Sequence, residues 1–221
     1  MLFIFDWDGT LCDSTGRIVA CLQAAAADVG LVPPPHAAAL NIIGLGLAEA
    51  LAELYPGLDD ATAQRLRAAY SARFMSGDAP PSQLFAGARA CLDALRGQGH
   101  LLAVATGKSR RGLDRALTDL ALQQYFDATR CADETASKPD PLMVRQLLAT
   151  LNTPAAQAVV IGDTTYDMEM AARAGVSRIG AVHGAHVESR LQAFAPLFCF
   201  TDFERLSRYG ASVTGNRSPA G

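Results

Sequence analysis

The sequence predicts an α/β protein: a parallel sheet with helices on both faces, and an all-helical segment inserted after the first strand. Three observations lead to this prediction. The chain opens with a short apolar run, LFIF at 2–5, which is typical of a buried strand. Residues 14–81 contain helical patterns and no convincing strand. After Pro81, apolar strands alternate with helices, as in parallel sheets with right-handed crossovers.

The insertion contains several predicted helices. Residues 14–30 carry apolar side chains at helical spacing, and the proline run at 33–35 ends that helix. Further helices are expected at 36–46, at 47–54 and at about 61–75. Asp59 or Asp60 is placed to cap the last of these helices. The composition of 77–81, GDAPP, predicts a linker that leads back to the sheet.

The second part of the chain supplies the rest of the sheet. Strands are predicted at 101–105, 126–131, 158–161 and 178–182, with a candidate at 197–200. The helices between them are predicted at 86–98, 109–120, 141–151 and 166–175. Residues 210–221 lack apolar periodicity, and we expect them to be loose.

Composition narrows the possible functions. Half of the 221 residues are hydrophobic, and the net charge of -3 gives no electrostatic footprint for nucleic acid or an anionic membrane. Five cysteines without metal-ligand spacing predict reduced thiols. No signal peptide opens the chain, and no run approaches the roughly 18 apolar residues that span a bilayer. We therefore expect a cytoplasmic protein; the sequence leaves its oligomeric state, monomer or dimer, open.

Polar residues stand where the predicted strands end. On its own, DWDGT at 6–10 is also compatible with a strand and a polar turn. Parallel strands, however, bring their carboxyl ends to one edge of the sheet, where open α/β sheets bind ligands. The residues expected to converge there are Asp6, Asp8, Thr106, Gly107, Lys138, Asp163 and Asp167.

These residue types suit phosphoryl transfer. Clustered carboxylates repel one another unless a cation lies between them, and oxygen ligands without histidine or thiolate favour Mg²⁺. A carboxylate can attack phosphorus and form an aspartyl-phosphate. A lysine, a hydroxyl and loop N–H groups stabilise the charge on the transferring oxygens. A second carboxylate two residues away can protonate the leaving oxygen and later activate water.

Four motifs carry a family resemblance. DWDGT, VATG, SKP and GDTTYD, in this order, resemble the motifs of the haloacid dehalogenase-like hydrolase superfamily. The resemblance covers nearly the whole chain and is closer to the phosphoglycolate phosphatase-like branch, which has a small helical cap. It implies a Rossmann-like core formed by 1–13 and 83–221, and a helical cap formed by 14–82.

The resemblance also implies roles for five residues in the transfer itself. Asp6 is expected to attack phosphorus, and Asp8 to act as general acid and base. Lys138 is expected to neutralise the aspartyl-phosphate and orient Asp6. Thr106 and the Gly107 amide are expected to hold the phosphate.

By the same resemblance, the cofactor is Mg²⁺. Asp6 and Asp163 are the expected side-chain ligands, together with the main-chain carbonyl of Asp8. Asp167 is expected to support the ion directly or through water. The expected partner is a small phosphorylated metabolite.

Other residues near the motifs receive weaker predictions. The substrate contacts of Arg17 and of the loop Gly44-Leu45-Gly46 are left open. Trp7 is expected to pack in the core. Three basic residues follow the predicted phosphate loop, formed by Thr106 and Gly107, and are expected to form the solvated start of a helix: Lys108, Arg110 and Arg111.

Branches of the superfamily differ in residues that this chain has or lacks. Asp8 argues against the dehalogenases, which lack the second aspartate. Residues 14–82 contain no lysine, which argues against the phosphonate-cleaving enzymes with their cap Schiff base. A phosphatase acting on a phosphoglycolate-like ester or a sugar phosphate is therefore predicted. A sugar-phosphate mutase and a catalytically slow regulatory module remain the alternatives.

Overall fold

The protein is built around a six-stranded parallel sheet, and its computed structural model describes residues 1–76 and 82–214. The strands in this part of the chain are β1 (Leu2–Phe5), β2 (Cys12–Asp13), β3 (Gln83–Leu84), β4 (Leu101–Thr106), β5 (Ala128–Cys131), β6 (Ala158–Gly162), β7 (Ser177–Ala181) and β8 (Cys199–Phe200). The sheet order is β5-β4-β1-β6-β7-β8, and every neighbouring pair is parallel. The carboxyl ends of all six strands therefore lie at one edge.

The described helices flank the sheet or belong to the insertion. They are α1 (Thr15–Asp28), α2 (His36–Asn41), α3 (Leu47–Leu54), α4 (Asp60–Met75), α5 (Ala88–Gly97), α6 (Arg110–Asp119), α7 (Leu142–Thr150), α8 (Thr165–Arg173), α9 (Glu188–Gln192) and α10 (Phe203–Thr214). The helices near both sheet faces and the parallel strands confirm the predicted α/β, Rossmann-like core.

Strand β1 lies in the middle of the sheet, between β4 and β6. Its side chains alternate between the two faces, as strand geometry requires. Phe3 and Phe5 pack in the apolar cluster formed with α5, α6 and α10. Leu2 and Ile4 pack in a second cluster with α7 and α8. Because both faces of β1 are covered, its four residues are fully buried, which explains why none of them is polar.

The inserted segment has its own apolar cluster. Helix α1 buries the face that its sequence spacing predicts, comprising Ile18, Val19, Leu22, Ala25 and Ala26. That face packs against helices α2, α3 and α4. At the base of the segment, β2 and β3 pair antiparallel, with Cys12 opposite Leu84. The chain thus leaves and rejoins the sheet region at adjacent points, through a two-residue pairing too short to predict from periodicity.

Most of the predicted elements agree with the observed ones to within a few residues. The first strand and the helix at 47–54 have the predicted bounds, and Asp59 caps α4 by accepting a hydrogen bond from the Thr62 N–H at 2.9 Å. The prediction of a loose tail from residue 210 is wrong up to Thr214, because α10 buries Phe203, Leu206 and Gly210. The linker at 77–81 and the tail at 215–221 lie outside the described residues.

The structure bears on two predictions, that the cysteines are reduced thiols and that no segment spans a membrane. All five cysteines are free thiols, and four of them are buried. Within residues 1–76 and 82–214, no helix is both long and apolar enough to cross a bilayer.

Candidate active site

The turn after β1 presents two carboxylates on one side of the chain and an indole on the other. The Asp6 N–H extends the pairing with β6 by donating to the Ile161 carbonyl at 2.8 Å. Asp6 and Asp8 face the edge of the sheet, while Trp7 is fully buried in the core, where its ring plane is inclined at 67° to that of Phe126. Alternation along an extended segment thus separates the chemical residues from the packing residue.

Lys138 joins two of the carboxylates in a buried cluster. Its Nζ lies 2.6 Å from Asp6 Oδ1 and 2.7 Å from Asp167 Oδ1, and all three side chains are at most 1 % exposed. Burial opposes the ammonium charge, but the adjacent carboxylates of Asp167 and Asp6 outweigh it and raise the pKa of Lys138. The lysine is therefore held protonated between its partners.

Asp163 is fixed by donors from two loops. The Thr10 hydroxyl donates to its Oδ1 at 2.6 Å, and the Ala185 N–H donates to its Oδ2 at 2.7 Å. A Cβ on Gly9 or Gly184 would collide with the Asp163 carboxylate, so both glycines allow main chain to approach it closely. Burial, together with the nearby charge of Asp167, raises the pKa of Asp163 to about 7.

These carboxylates form a site with more negative charge than the protein itself compensates. One oxygen each from Asp6, Asp163 and Asp167 lie within 4.8 Å of one another. Asp6 Oδ2 is buried and receives no hydrogen bond from the described residues. Burial raises the pKa of Asp6 well above its usual range; the Lys138 ammonium lowers that pKa, and the charges of Asp167 and Asp163 raise it. An all-oxygen set with an unsatisfied buried carboxylate fits a hard divalent cation such as Mg²⁺.

Asp167 is engaged through both of its oxygens. While Oδ1 contacts Lys138, Oδ2 accepts from the Thr164 N–H at 3.1 Å and from the Thr164 hydroxyl at 2.6 Å. Thr164 is also the N-cap of α8, so the helix start and the carboxylate orient each other.

Asp8 stands apart from that carboxylate cluster. Its Oδ1 accepts from the Ser14 hydroxyl at 2.5 Å and lies 2.9 Å from Lys108 Nζ. The Lys108 ammonium also lies 4.6 Å from the centroid of the Phe74 ring. The prediction that Lys108 is solvated is therefore wrong, since its side chain is only 10 % exposed and pairs with a carboxylate.

The signal that could have identified Lys108 was present in the sequence. The chain has only two lysines, and this one directly follows the predicted phosphate loop. The two arginines that follow differ from it. Arg110 forms surface ion pairs with Glu134 and Asp114, and Arg111 is exposed at the mouth of a cavity.

The end of β4 meets the insertion. Thr106 is buried, and its hydroxyl oxygen accepts from the Lys108 N–H at 3.2 Å. At Gly107, an added Cβ would lie 2.7 Å from the Gly44 carbonyl and would also collide with the Leu45 carbonyl. The loop at 44–46 therefore packs directly on the glycine predicted to hold phosphate.

Arg17, by contrast, binds within the insertion. Its Nη2 donates to the Phe74 carbonyl at 2.7 Å, and its guanidinium lies 4.9 Å from the Phe74 ring centroid. It lines a smaller cavity of about 320 Å³. A larger cavity, of about 400 Å³, opens beside Asp6 and Asp8 and continues into the insertion.

Two histidines bind main-chain groups near the site. His186 Nδ1 accepts from the Thr165 N–H at 3.0 Å, and its Nε2 lies 3.1 Å from the Asn41 carbonyl. His183 Nε2 lies 3.0 Å from the Thr10 carbonyl. Within the described residues, the group of side chains placed to hold a metal contains aspartates alone.

Comparisons with known proteins agree with this architecture. The family profile described as haloacid dehalogenase-like hydrolase matches residues 3–181. The Dickeya dadantii protein named "Probable phosphatase IndB" is 36 % identical over 88 % of this chain and 86 % of its own length. A phosphoglycolate phosphatase of Rhodospirillum rubrum is 32 % identical over 98 % of both chains.

A solved structure shares the fold over nearly the same span. It is that of a Bacteroides fragilis protein assigned to the haloacid dehalogenase-like hydrolases, with a TM-score of 0.86 and 26 % identity. The match covers 93 % of this chain and 98 % of that one. The chain belongs to the haloacid dehalogenase-like hydrolase family.

Proposed function

We propose that this protein is a Mg²⁺-dependent phosphatase that hydrolyses a small phosphate monoester through an aspartyl-phosphate on Asp6. One observation carries the proposal. Asp6 is held through Oδ1 by Lys138, while its Oδ2 receives no hydrogen bond from the described residues; the residue itself lines the cavity. The phosphatase names of the relatives support the same activity.

The proposed ion site uses Asp6 and Asp163 as side-chain ligands, with the main-chain carbonyl of Asp8. Asp167 supports the site, because both of its oxygens already accept from Lys138 and Thr164. When bound, Mg²⁺ supplies positive charge to the carboxylates and to the phosphoryl oxygens.

In the first half-reaction, an oxygen of Asp6 attacks phosphorus and the bond to the leaving oxygen breaks. Asp8 gives its proton to that oxygen, and Lys138 keeps the Asp6 carboxylate oriented. The Thr106 hydroxyl accepts from the Lys108 N–H, so its own proton can be donated to the phosphoryl group, next to the Gly107 N–H.

In the second half-reaction, Asp8 removes a proton from water and the resulting nucleophile attacks phosphorus. The bond between phosphorus and Asp6 breaks, which releases inorganic phosphate, restores the Asp6 carboxylate and leaves Asp8 protonated for the next cycle. Ser14 and Lys108 position Asp8 for both proton transfers.

Residues 14–82 are proposed to form a cap over the core of 1–13 and 83–221. The separate apolar cluster and the β2–β3 pair at the base of the segment support this division. A cap that contacts Gly107 excludes bulk water while substrate is bound and opens for release.

A mutase is disfavoured by the charges of the cavity. Such an enzyme must bind a second phosphate, whereas the lining residues contributed by the described part of the insertion carry no charge. The rate of Mg²⁺-dependent ester hydrolysis distinguishes a phosphatase from a catalytically slow regulatory module.

The activity is tested with p-nitrophenyl phosphate and Mg²⁺. Asp6→Asn is expected to abolish turnover while thermal melts show a folded protein. Asp13→Asn, which removes an exposed carboxylate from the same stretch, is the control and is expected to retain activity. EDTA is expected to inactivate the wild type and Mg²⁺ to restore it. Undiminished turnover by Asp6→Asn contradicts the proposal.

A further inference from the structure

The 400 Å³ cavity has two chemically different halves. The core contributes the charged groups, and the insertion contributes an almost entirely apolar wall. The insertion's side of this wall includes Leu22, Ile43, Leu47, Leu51, Tyr70 and Phe74, and none of its lining residues carries a charge. A cavity of this volume is within the range of small-molecule sites and extends well beyond a phosphate group.

The largely buried cations beside the cavity are already paired with carboxylates. Asp6 is paired with Lys138, and the Lys108 ammonium is paired with Asp8 at 2.9 Å. Arg111 is the remaining cation among the described lining residues, and it lies exposed at the start of α6. An anionic leaving group would thus lie against an apolar wall that offers it no buried cationic partner.

Apolar side chains of the wall favour the opposite kind of ligand. A carboxylate moved from water to such a wall loses its hydration without compensation. An apolar group gains from burial, by a factor of roughly four in affinity for each methylene. Tyr70 and Phe74 add nearly parallel rings, with centroids 5.7 Å apart and planes inclined by 25°.

We propose that the leaving group of the substrate is an uncharged, apolar alcohol that fills the wall formed by the insertion. This inference rests on the proposed phosphatase function and specifies its substrate class. It distinguishes the chain from an enzyme for phosphoglycolate, whose leaving group carries a carboxylate.

The first test compares wild-type kcat/KM for matched esters at saturating Mg²⁺. Benzyl phosphate is expected to exceed 4-carboxybenzyl phosphate and phosphoglycolate by at least about tenfold. Along methyl, ethyl, propyl and butyl phosphate, kcat/KM is expected to rise by roughly fourfold per methylene. A flat alkyl series, or a preference for either carboxylated ester, overturns the inference.

A pair of variants tests the wall itself. Leu47→Arg places a cation on the lining, and is expected to reduce kcat/KM for benzyl phosphate by about tenfold and raise it for 4-carboxybenzyl phosphate. The control, Ala48→Arg, adds the same charge at the exposed neighbouring position outside the lining. It is expected to change neither value by more than about twofold. Equal effects of the two variants overturn the role of the wall.

Failure of the inference and failure of the proposed function give different results. If no ester of the panel, including p-nitrophenyl phosphate, is hydrolysed, the phosphatase function itself is wrong. If esters are hydrolysed and the carboxylated ones are preferred, only the substrate class is wrong. The wild-type panel decides the inference even where a variant does not fold.

Discussion

Replacing Lys138 by methionine tests whether the buried carboxylates of the site depend on the Lys138 ammonium for their stability. Methionine preserves much of the length of the side chain but removes the ammonium that lies 2.6 Å from Asp6 and 2.7 Å from Asp167. Both carboxylates would remain buried without that partner. Removing one partner of a buried ion pair costs roughly 3–5 kcal/mol of unfolding free energy.

For a chain of this size, that loss corresponds to a fall in Tm of roughly 6–20 °C in metal-free buffer. The control is Arg208→Met, which breaks an exposed pair with Glu204 and is expected to cost about 0–1 kcal/mol. The deficit of Lys138→Met is expected to be larger at pH 8 than at pH 5. Burial raises the folded-state pKa of Asp6 above its unfolded value, so protonation of Asp6 stabilises the fold at low pH and this contribution is lost as the pH rises. Without the Lys138 ammonium, the Asp6 carboxylate that forms at higher pH has no cationic partner, and the loss of unfolding free energy grows.

A double-mutant cycle identifies the cause. Urea denaturation of Lys138→Met, Asp6→Asn and the double variant gives three unfolding free energies in metal-free buffer. Neutralising Asp6 relieves the unpaired charge, so the double variant is expected to be at least about 1 kcal/mol more stable than the sum of the single effects predicts. Additive effects would refute the electrostatic account of the cluster.

Three further predictions concern the edge of the sheet. Lys108→Met is expected to lower kcat by about tenfold for an alkyl phosphate and less for p-nitrophenyl phosphate, whose leaving group needs no proton from Asp8; equal losses contradict the positioning role. Gly107→Ala is expected to lower kcat/KM because the added Cβ collides with main-chain carbonyls of the facing loop. The control Gly16→Ala, which has open space around it in a helix, is expected to raise the free energy of unfolding by about 0.5–1 kcal/mol. Thermal melts and kcat/KM are measured for both variants. The apparent Kd for Mg²⁺ is expected to rise by up to about tenfold for each pH unit below 7, because binding needs an ionised Asp163 and burial raises the pKa of Asp163 to about 7. A Kd that calorimetry finds unchanged between pH 5.5 and 8 contradicts this.

The sequence was sufficient to predict the convergence of the main site residues. Asp6 and Asp163 directly follow the apolar strands β1 and β6, and Asp167 lies in the first turn of the next helix; because parallel strands end at one edge of the sheet, these residues meet there. Lys138 precedes a helix in a connection between strands; its place near the sheet edge was predicted from the topology, and its role toward Asp6 from the family resemblance. The structure adds that the same ammonium contacts Asp167.

The contacts that sequence could not predict depend on where loop side chains point. The hydrogen bond from Thr10 to Asp163 and the ion pair of Lys108 with Asp8 join residues in irregular segments, for which no repeat pattern exists. The helix at 203–214 was not predicted, although Phe203, Leu206 and Gly210 lie three and four residues apart on its buried face. This spacing is typical of an amphipathic helix, so the sequence does contain a signal for this element.

The central claim is that Asp6 receives the phosphoryl group. Asp8→Asn keeps this nucleophile but lacks the base for hydrolysis, so p-nitrophenyl phosphate and Mg²⁺ are expected to leave a phosphorylated enzyme. Borohydride reduction of that enzyme converts an aspartyl-phosphate to homoserine, which mass spectrometry of the tryptic peptide 1–17 can locate. Homoserine at Asp6 is the predicted result. Homoserine at another aspartate, or an unmodified Asp6 in enzyme that releases p-nitrophenol, would contradict the account.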